Sequence, residues 1–263
     1  MDLQLAHKTA FISGSTQGIG FAIAKQLLQE GTRVIINGRT KDKTEIAVQR
    51  LMAALPAAKV SGIAADFSKM HEVNNLLKTL PTIDILVNNV GIFNLKAFED
   101  IPDVDWMNMF EINVMSGIRL SRVLLPGMLA GTWGRILFIS SESGINVPAN
   151  MIHYGMTKTA MLAVGNGLSK LTKGTEVTVN TILGGPTYSD GVAHTIEQIA
   201  QAQGISPEQM KAAIMERTNP HSLLQRFIAP EEIANLAVYL CSPLAAATNG
   251  SVLRADGGVL NSL

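Results

Sequence analysis

The chain has 263 residues, 47% hydrophobic and 16% charged, which excludes disorder and suits one α/β domain of the larger kind. Its 21 Lys and Arg balance 21 Asp and Glu with no basic tail or charge block, so nucleic acid and anionic lipid are excluded as electrostatic partners. Cys241 is the only cysteine, which rules out an intrachain disulfide or a cysteine metal cluster, and no metal is expected.

Thr9 to Ser13 reads as a buried strand. Gly14-Ser15-Thr16-Gln17-Gly18-Ile19-Gly20 comes directly after it, and a helical run from Phe21 to Gln29 stops at Gly31. Strand, glycine turn and helix start together form a phosphate cradle, where backbone and helix N-terminus approach a pyrophosphate. All seven residues of the turn, Gly14 to Gly20, are candidate cofactor contacts. The spacing Gly-x-x-x-Gly-x-Gly also fits an ordinary strand-helix turn, but both flanks suit a dinucleotide.

Val34 to Ile36 is the second strand. Gly38 then occupies the slot where an acidic residue would hold an adenosine ribose hydroxyl, and Arg39 comes next. A guanidinium there suits a 2′-phosphate, so NADP(H) is favoured and NAD(H) is the alternative. Arg39 also reads as a surface residue opening a helix from about Asp42 to Ala54. Val60 to Ala64 is a third strand, ending at Asp66-Phe67. Asp66 either accepts from an adenine amino group, with Phe67 bordering the ring, or caps the helix starting near Lys69.

Ile83 to Val87 is the fourth strand, with Asn88-Asn89-Val90-Gly91 after it. Asn88 reads as structural, while Asn89 and Gly91 are candidate cofactor contacts through nearby backbone. One long helical region then spans about Asp103 to Leu129, with Asn113 in its middle. A mid-helix asparagine is usually solvent-facing or marks an irregularity.

Arg135 to Ile139 is an apolar fifth strand, with Ser140, Ser141 and Ser143 at its carboxyl end. A helical pattern starts near Met151, and Tyr154 and Lys158 share one face of it. A free tyrosine, pKa about 10, is a poor base at neutral pH. An ammonium about 4 Å away, at an effective dielectric of ~20, favours the phenolate by roughly 4 kcal/mol before desolvation opposes it. Lys158 is therefore expected to lower the Tyr154 pKa, and a serine to hold the same substrate oxygen.

Glu176 to Ile182 is the sixth strand, and the turn after it offers Gly185, Thr187 and Ser189 to a nicotinamide. Residues Asp190 to Leu224 carry two amphipathic patterns split by Gly204-Ile205-Ser206-Pro207. They read as a helical lid over the substrate or as a surface hairpin. Pro230 to Cys241 is helical, and Ser251 to Arg254 is the last strand. Seven strands alternating with helices predict a single α/β domain over residues 1–263, with a doubly wound, Rossmann-like parallel sheet covered on both faces.

In order along the chain stand Ser13-Gly14-x-x-x-Gly18-Ile19-Gly20, Asp66, Asn88-Asn89-x-Gly91, Asn113, Ser140-Ser141-x-x-Gly144, Tyr154-x-x-x-Lys158, Asn180, Pro230-Glu231-Glu232-Ile233 and Asp256-Gly257-Gly258. Together they resemble a short-chain dehydrogenase/reductase, of the single-domain type similar to 3-oxoacyl-[acyl-carrier-protein] reductases. The resemblance selects Ser141 among the serines and implies a catalytic set of Asn113, Ser141, Tyr154 and Lys158. It gives Asn113 a water that links the lysine to solvent. It gives Lys158 the nicotinamide ribose hydroxyls and gives Asp66 the adenine. Val90, Gly184, Ser189 and Gln17 depart from the usual Ala, Pro, Thr and basic residue.

The activity this resemblance implies is hydride transfer between NADP(H) and the carbonyl or secondary alcohol of a small or acyl-type substrate. An NAD(H)-dependent alcohol dehydrogenase, or a cofactor-binding regulator without turnover, are the alternatives. Relatives of this kind form homotetramers or homodimers, and the helices near residues 103–129 and 151–172 would supply the contacts. The opening residues lack the basic and apolar regions of a signal peptide, and no apolar run reaches membrane-spanning length, so a cytoplasmic protein with no membrane partner is expected.

Overall fold

The β-branched apolar runs become strands that pair in parallel. A computed structural model describes residues 2–261, so the outermost positions of the expected 1–263 domain lie outside the described residues. The strands are β1 (Thr9–Ile12), β2 (Arg33–Gly38), β3 (Val60–Ala64), β4 (Ile85–Asn88), β5 (Trp133–Ser141), β6 (Glu176–Gly184) and β7 (Val252–Ala255). They form one seven-stranded sheet in the order β3-β2-β1-β4-β5-β6-β7. The direction of winding reverses between β1 and β4, where Ala10 lies opposite Ile85. A crevice opens at the carboxyl ends there, the usual ligand position in such sheets.

The helices are α1 (Gly18–Gln29), α2 (Lys41–Ala54), α3 (Met70–Thr79), α4 (Asp103–Phe110), α5 (Ser116–Ala130), α6 (Ile152–Ser169), α7 (Asp190–Gln203), α8 (Pro207–Thr218) and α9 (Pro230–Cys241). Successive strand residues face opposite sides, and both sides are covered. Ile12, Ile36 and Val87 pack with Ile23, Leu27 and Leu51 of α1 and α2 and with Ile233 of α9. Phe11, Leu86 and Phe138 pack with Leu76, Leu120 and Met161 of α3, α5 and α6. Each fully buried side chain of this size contributes roughly 1.5–3 kcal/mol. The doubly wound, Rossmann-like arrangement expected from the strand-helix alternation is the one observed.

Several boundaries differ from expectation. β4 starts at Ile85 and takes in Asn88. β5 runs on through Ser140 and Ser141, because these pair with Leu183 and Gly184 of β6. The helix expected over Asp103 to Leu129 is broken by a π-helical turn, Glu111–Met115, between α4 and α5. A widened turn of this kind commonly marks a functional position, and Asn113 stands inside it.

The segment from Asp190 folds as the two expected helices. α7 ends at Gly204 with φ +66°, and α8 opens on Ser206, which exchanges hydrogen bonds with Gln209. Ile196, Ala200 and Met210 give the pair a small core of its own. Its two ends are tied to the carboxyl edge of the sheet: the Gly18 N–H donates to Asp190, and the Leu223 N–H donates to Gly257 O. Among the described residues no helix is long and apolar enough to cross a membrane.

Candidate active site

The glycine turn bridges β1 and α1. Gly14 (φ +61°) and Gly18 (φ +59°) adopt the left-handed conformation that L side chains rarely take. Asn89 holds the turn from β4, its Nδ2 donating to Gly14 O at 2.7 Å and to Ser13 O at 3.2 Å. Gly20 is buried on the first turn of α1, Thr16, Gly18 and Ile19 are partly buried, and Gln17 is exposed. The first turn of α1 already meets a carboxyl group: the Gly18 N–H donates to Asp190 Oδ2 at 2.7 Å. A carboxylate oxygen on that donor stands where a phosphate oxygen would be welcome, so the cradle fits a pyrophosphate.

Two expected contacts are corrected. Ser15 is fully buried; its Oγ donates to Ile12 O and accepts from Asn37 N, and its own N–H donates to Asn37 O. Its donors are therefore committed to locking the turn and none is left for a cofactor. Phe67 is 4% exposed and packs among Phe11, Val73 and Leu76, so its ring belongs to the core and offers little face to an adenine.

Around the adenosine end, a Cβ on Gly38 would lie 2.5 Å from Thr16 Cγ2 and 2.6 Å from Thr44 Oγ1, which leaves no room for an acidic side chain. Arg39 beside it is exposed. Asp66 Oδ1 accepts from both the N–H and the hydroxyl of Ser68, and neither residue caps α3, whose N-cap position is Lys69 with no side-chain hydrogen bond. Burial pushes the Asp66 carboxyl up, but the Ser68 donors, Lys69 and Arg39 together bring it below its ordinary value.

The serines at the end of β5 differ in their surroundings. Ser140 Oγ donates to Lys158 O at 2.9 Å and is turned into the fold. Ser141 Oγ stands at the strand end, and its hydrogen bonding favours the Tyr154 phenolate. Lys158 is buried, with Nζ 5.5 Å from the Tyr154 ring centroid and 3.0 Å from Ile139 O. Gly91 lies against this group, since a Cβ there would sit 3.4 Å from Lys158 Nζ and 3.8 Å from Asn113 Oδ1. Asn113 accepts from Ile92 N and donates to Ile92 O and to Thr157 Oγ1, pinning the loop after β4 to α6. All four expected catalytic residues are thus brought to one place.

The expected electrostatics are not all found. Lys158 does not lower the Tyr154 pKa. Burial and the charge of Glu142 push the phenol up, against the opposing hydrogen bond of Ser141. Burial also pulls Lys158 down to about 8, against the charge of Glu142. The ammonium faces a backbone carbonyl and is itself easily neutralised, so desolvation wins over the cation.

On the nicotinamide side, Gly185 N–H donates to Ala255 O and Thr187 Oγ1 donates to Gly185 O, so both shape the turn after β6. Ser189 precedes α7 without capping it, and its Cβ lies 3.2 Å from where a Cβ on Gly18 would be. Turn and cradle therefore lie in contact at Gly18. A cleft of about 870 Å³ runs from Gly18 and Asp190 between α1, α7, α8 and α9, past Phe21, Tyr188 and Phe227; neither Ser141 nor Tyr154 lines it.

Sequence reasoning missed two acids. Glu142 takes a hydrogen bond from Ser141 at 2.5 Å and another from the Ser143 hydroxyl at 3.0 Å. Its only signal was an acid beside the selected serine. Asp190 was read as the start of a lid, not as a partner of the glycine turn. His153, beside Tyr154, is buried against Trp106 and hydrogen-bonded to Asn94, a packing role.

Known proteins share this plan. The family model for short chain dehydrogenases matches residues 8–200. The uncharacterised oxidoreductase YvrD of Bacillus subtilis (strain 168) is 45% identical over 266 residues, covering 100% of both chains. D-beta-hydroxybutyrate dehydrogenase of Cupriavidus necator is 33% identical over 255 residues, covering 95% of this chain and 97% of its own. The crystal structure of L-sorbose reductase from Gluconobacter frateurii, complexed with NADPH and L-sorbose, has a TM-score of 0.93 at 29% identity, covering 100% of both chains. Likeness that runs the full length in sequence and in fold decides the matter: the chain belongs to the short-chain dehydrogenase/reductase family and is an NAD(P)-dependent oxidoreductase.

Proposed function

We propose that the protein transfers hydride reversibly between NADP(H) and the carbonyl or secondary alcohol of a small or acyl-type substrate, with Tyr154 as general acid and base. The observation that carries this reading is the cluster of Ser141, Tyr154 and Lys158 beside Gly91, in the loop after β4. When bound, the cofactor supplies the hydride in reduction and takes it up in oxidation. The backbone of Thr16 to Gly20 would hold its pyrophosphate, with Gly14 leaving room for it, Arg39 its 2′-phosphate and Asp66 its adenine. Asn89, Gly91, Gly185, Thr187 and Ser189 would border the nicotinamide half, and Lys158 its ribose.

In reduction, Tyr154 gives a proton to the substrate oxygen while Ser141 donates a hydrogen bond to it. Lys158 returns a proton to Tyr154, and Asn113 Oδ1 keeps a second lone pair for a water that links Lys158 to solvent. A phenol held above its ordinary pKa is protonated at neutral pH, the form a general acid needs in reduction. Arg39 and the filled space at Gly38 favour NADP(H) over NAD(H). Neutral, hydroxyl-bearing ketones are the substrates this reading puts first, since a structural neighbour matching the whole chain is complexed with L-sorbose.

Assembly through α4, α5 and α6 is part of the reading, since Val104 and Met107 are 68% and 67% exposed. The test is NADPH oxidation with L-sorbose, 2,3-butanedione and a 3-oxoacyl thioester. Tyr154→Phe is expected to lower turnover by about 100-fold or more while NADPH binding stays within a few-fold. Undiminished turnover in that variant contradicts the assignment.

A further inference from the structure

Ser141 has one proton to donate and two lone pairs to fill. One lone pair is already occupied, because the Ser143 N–H donates to Ser141 Oγ at 3.1 Å. Glu142 Oε2 lies 2.5 Å from Ser141 Oγ, and if Glu142 is ionised the serine's proton is the one between them. In that arrangement the serine has nothing to donate to a substrate oxygen. The chemistry of the proposed site needs the opposite.

We propose that Glu142 is a positioning residue for Ser141: as a carboxylic acid it donates to the serine and leaves the serine's own proton for the substrate oxygen, and as a carboxylate it takes that proton away. The proposal rests on the oxidoreductase reading above. Both states satisfy the same atoms. With Glu142 neutral, Ser141 Oγ accepts from the Ser143 N–H and the Glu142 O–H and donates to the substrate. With Glu142 ionised, Oγ accepts from the Ser143 N–H and donates to Glu142, and the substrate oxygen keeps only Tyr154. Ser143 adjusts with it, since its hydroxyl bonds the other carboxyl oxygen at 3.0 Å.

The surroundings support a proton on Glu142. It lies on the turn after β5, and burial pushes its carboxyl above the usual range, against the hydrogen bonds of Ser141 and Ser143. The titratable groups that share its field are Tyr154 and Lys158 of α6, both of which its charge holds toward the protonated form. Ser140, the remaining hydroxyl of the cluster, is tied to Lys158 O and takes no part. Ionising Glu142 thus withdraws Ser141 and strengthens the hold of Tyr154 on its proton, and both effects slow reduction.

The experiment compares kcat/KM against pH for NADPH-dependent reduction of L-sorbose and 2,3-butanedione by wild type and Glu142→Gln. A Gln amide donates to Ser141 as the protonated acid does and cannot ionise. Wild type is expected to lose activity by about tenfold per pH unit above the Glu142 titration. Glu142→Gln is expected to lack that limb and to exceed wild type at its alkaline end. Infrared spectra of the NADPH-bound wild type supply a second readout: a protonated-carboxyl band that fades over the same pH range and is missing from Glu142→Gln. Superimposable pH profiles, or a limb with no carboxyl band tracking it, overturn the proposal. If Tyr154→Phe is inactive while Glu142→Gln matches wild type, the enzymatic reading stands and only Glu142 falls. If Tyr154→Phe turns over normally, the reading beneath both fails.

Discussion

Single side chains at the ends of strands decide the chemistry. Arg39 is exposed beside a glycine whose missing side chain has no room to return, so its guanidinium can meet a 2′-phosphate with no neighbouring carboxylate on that glycine to compete. Replacing Arg39 with Ala is expected to weaken NADPH binding by about 1.5–3 kcal/mol, roughly 10- to 150-fold, and to leave NADH binding nearly unchanged. Fluorescence titration of both cofactors checks this; equal losses would contradict it. The positions of Tyr154, Lys158 and the serines were legible from spacing alone, because helix and strand periodicity fix which side chains share a face. The direction of each side chain was less so. Ser15 and Phe67 sit in motifs that suggested cofactor contact, yet both turn inward, since burial depends on what packs above them. Glu142 was illegible for the same reason. An acid in a serine-rich turn reads as solvated until α6 is seen lying against it.

Among the elements, α7 and the glycine turn are coupled through one hydrogen bond, Gly18 N–H to Asp190 Oδ2. A pyrophosphate that takes this donor must displace the carboxylate that begins α7. Asp190→Asn removes the competing charge from the N-terminus of α1, and NADPH affinity is expected to rise about two- to fivefold. Isothermal titration reads this directly, and unchanged or weaker binding would contradict it. The two helices of this segment were foreseen from the Gly204–Pro207 break, but their attachment to the cradle spans 172 positions of sequence separation and left no local trace. The π-helical turn was hidden too. Apolar residues continue at helical spacing through α4 and α5, and only Asn113 marked the place where its amide pulls Ile92 and Thr157 together.

Over the whole molecule, the sheet order and its two buried faces were dictated by β-branched runs, glycine turns and helical spacing. These are local signals that agree with the global fold. Titration links the site to the stability of the fold. Glu142 holds its proton more tightly when folded, so its contribution is complete below the ordinary carboxylate pKa. As pH rises through the window between the ordinary and the raised value, the unfolded chain ionises first and the native state loses stability. Glu142→Gln should therefore melt higher than wild type at neutral pH, with the gap closing as pH falls below the ordinary carboxylate range. A gap independent of pH in thermal melts would contradict this.

Deuterium transfer gives the most direct view of the central chemistry. NADPH labelled at its transferring position is offered with L-sorbose and 2,3-butanedione, and the alcohol product is weighed by mass spectrometry. Wild type should place one deuterium on the carbinol carbon, and Tyr154→Phe should form that product at least about 100-fold more slowly while still binding NADPH. Unlabelled alcohol from wild type, or labelled alcohol from Tyr154→Phe at the wild-type rate, would show that hydride and proton do not meet at this tyrosine.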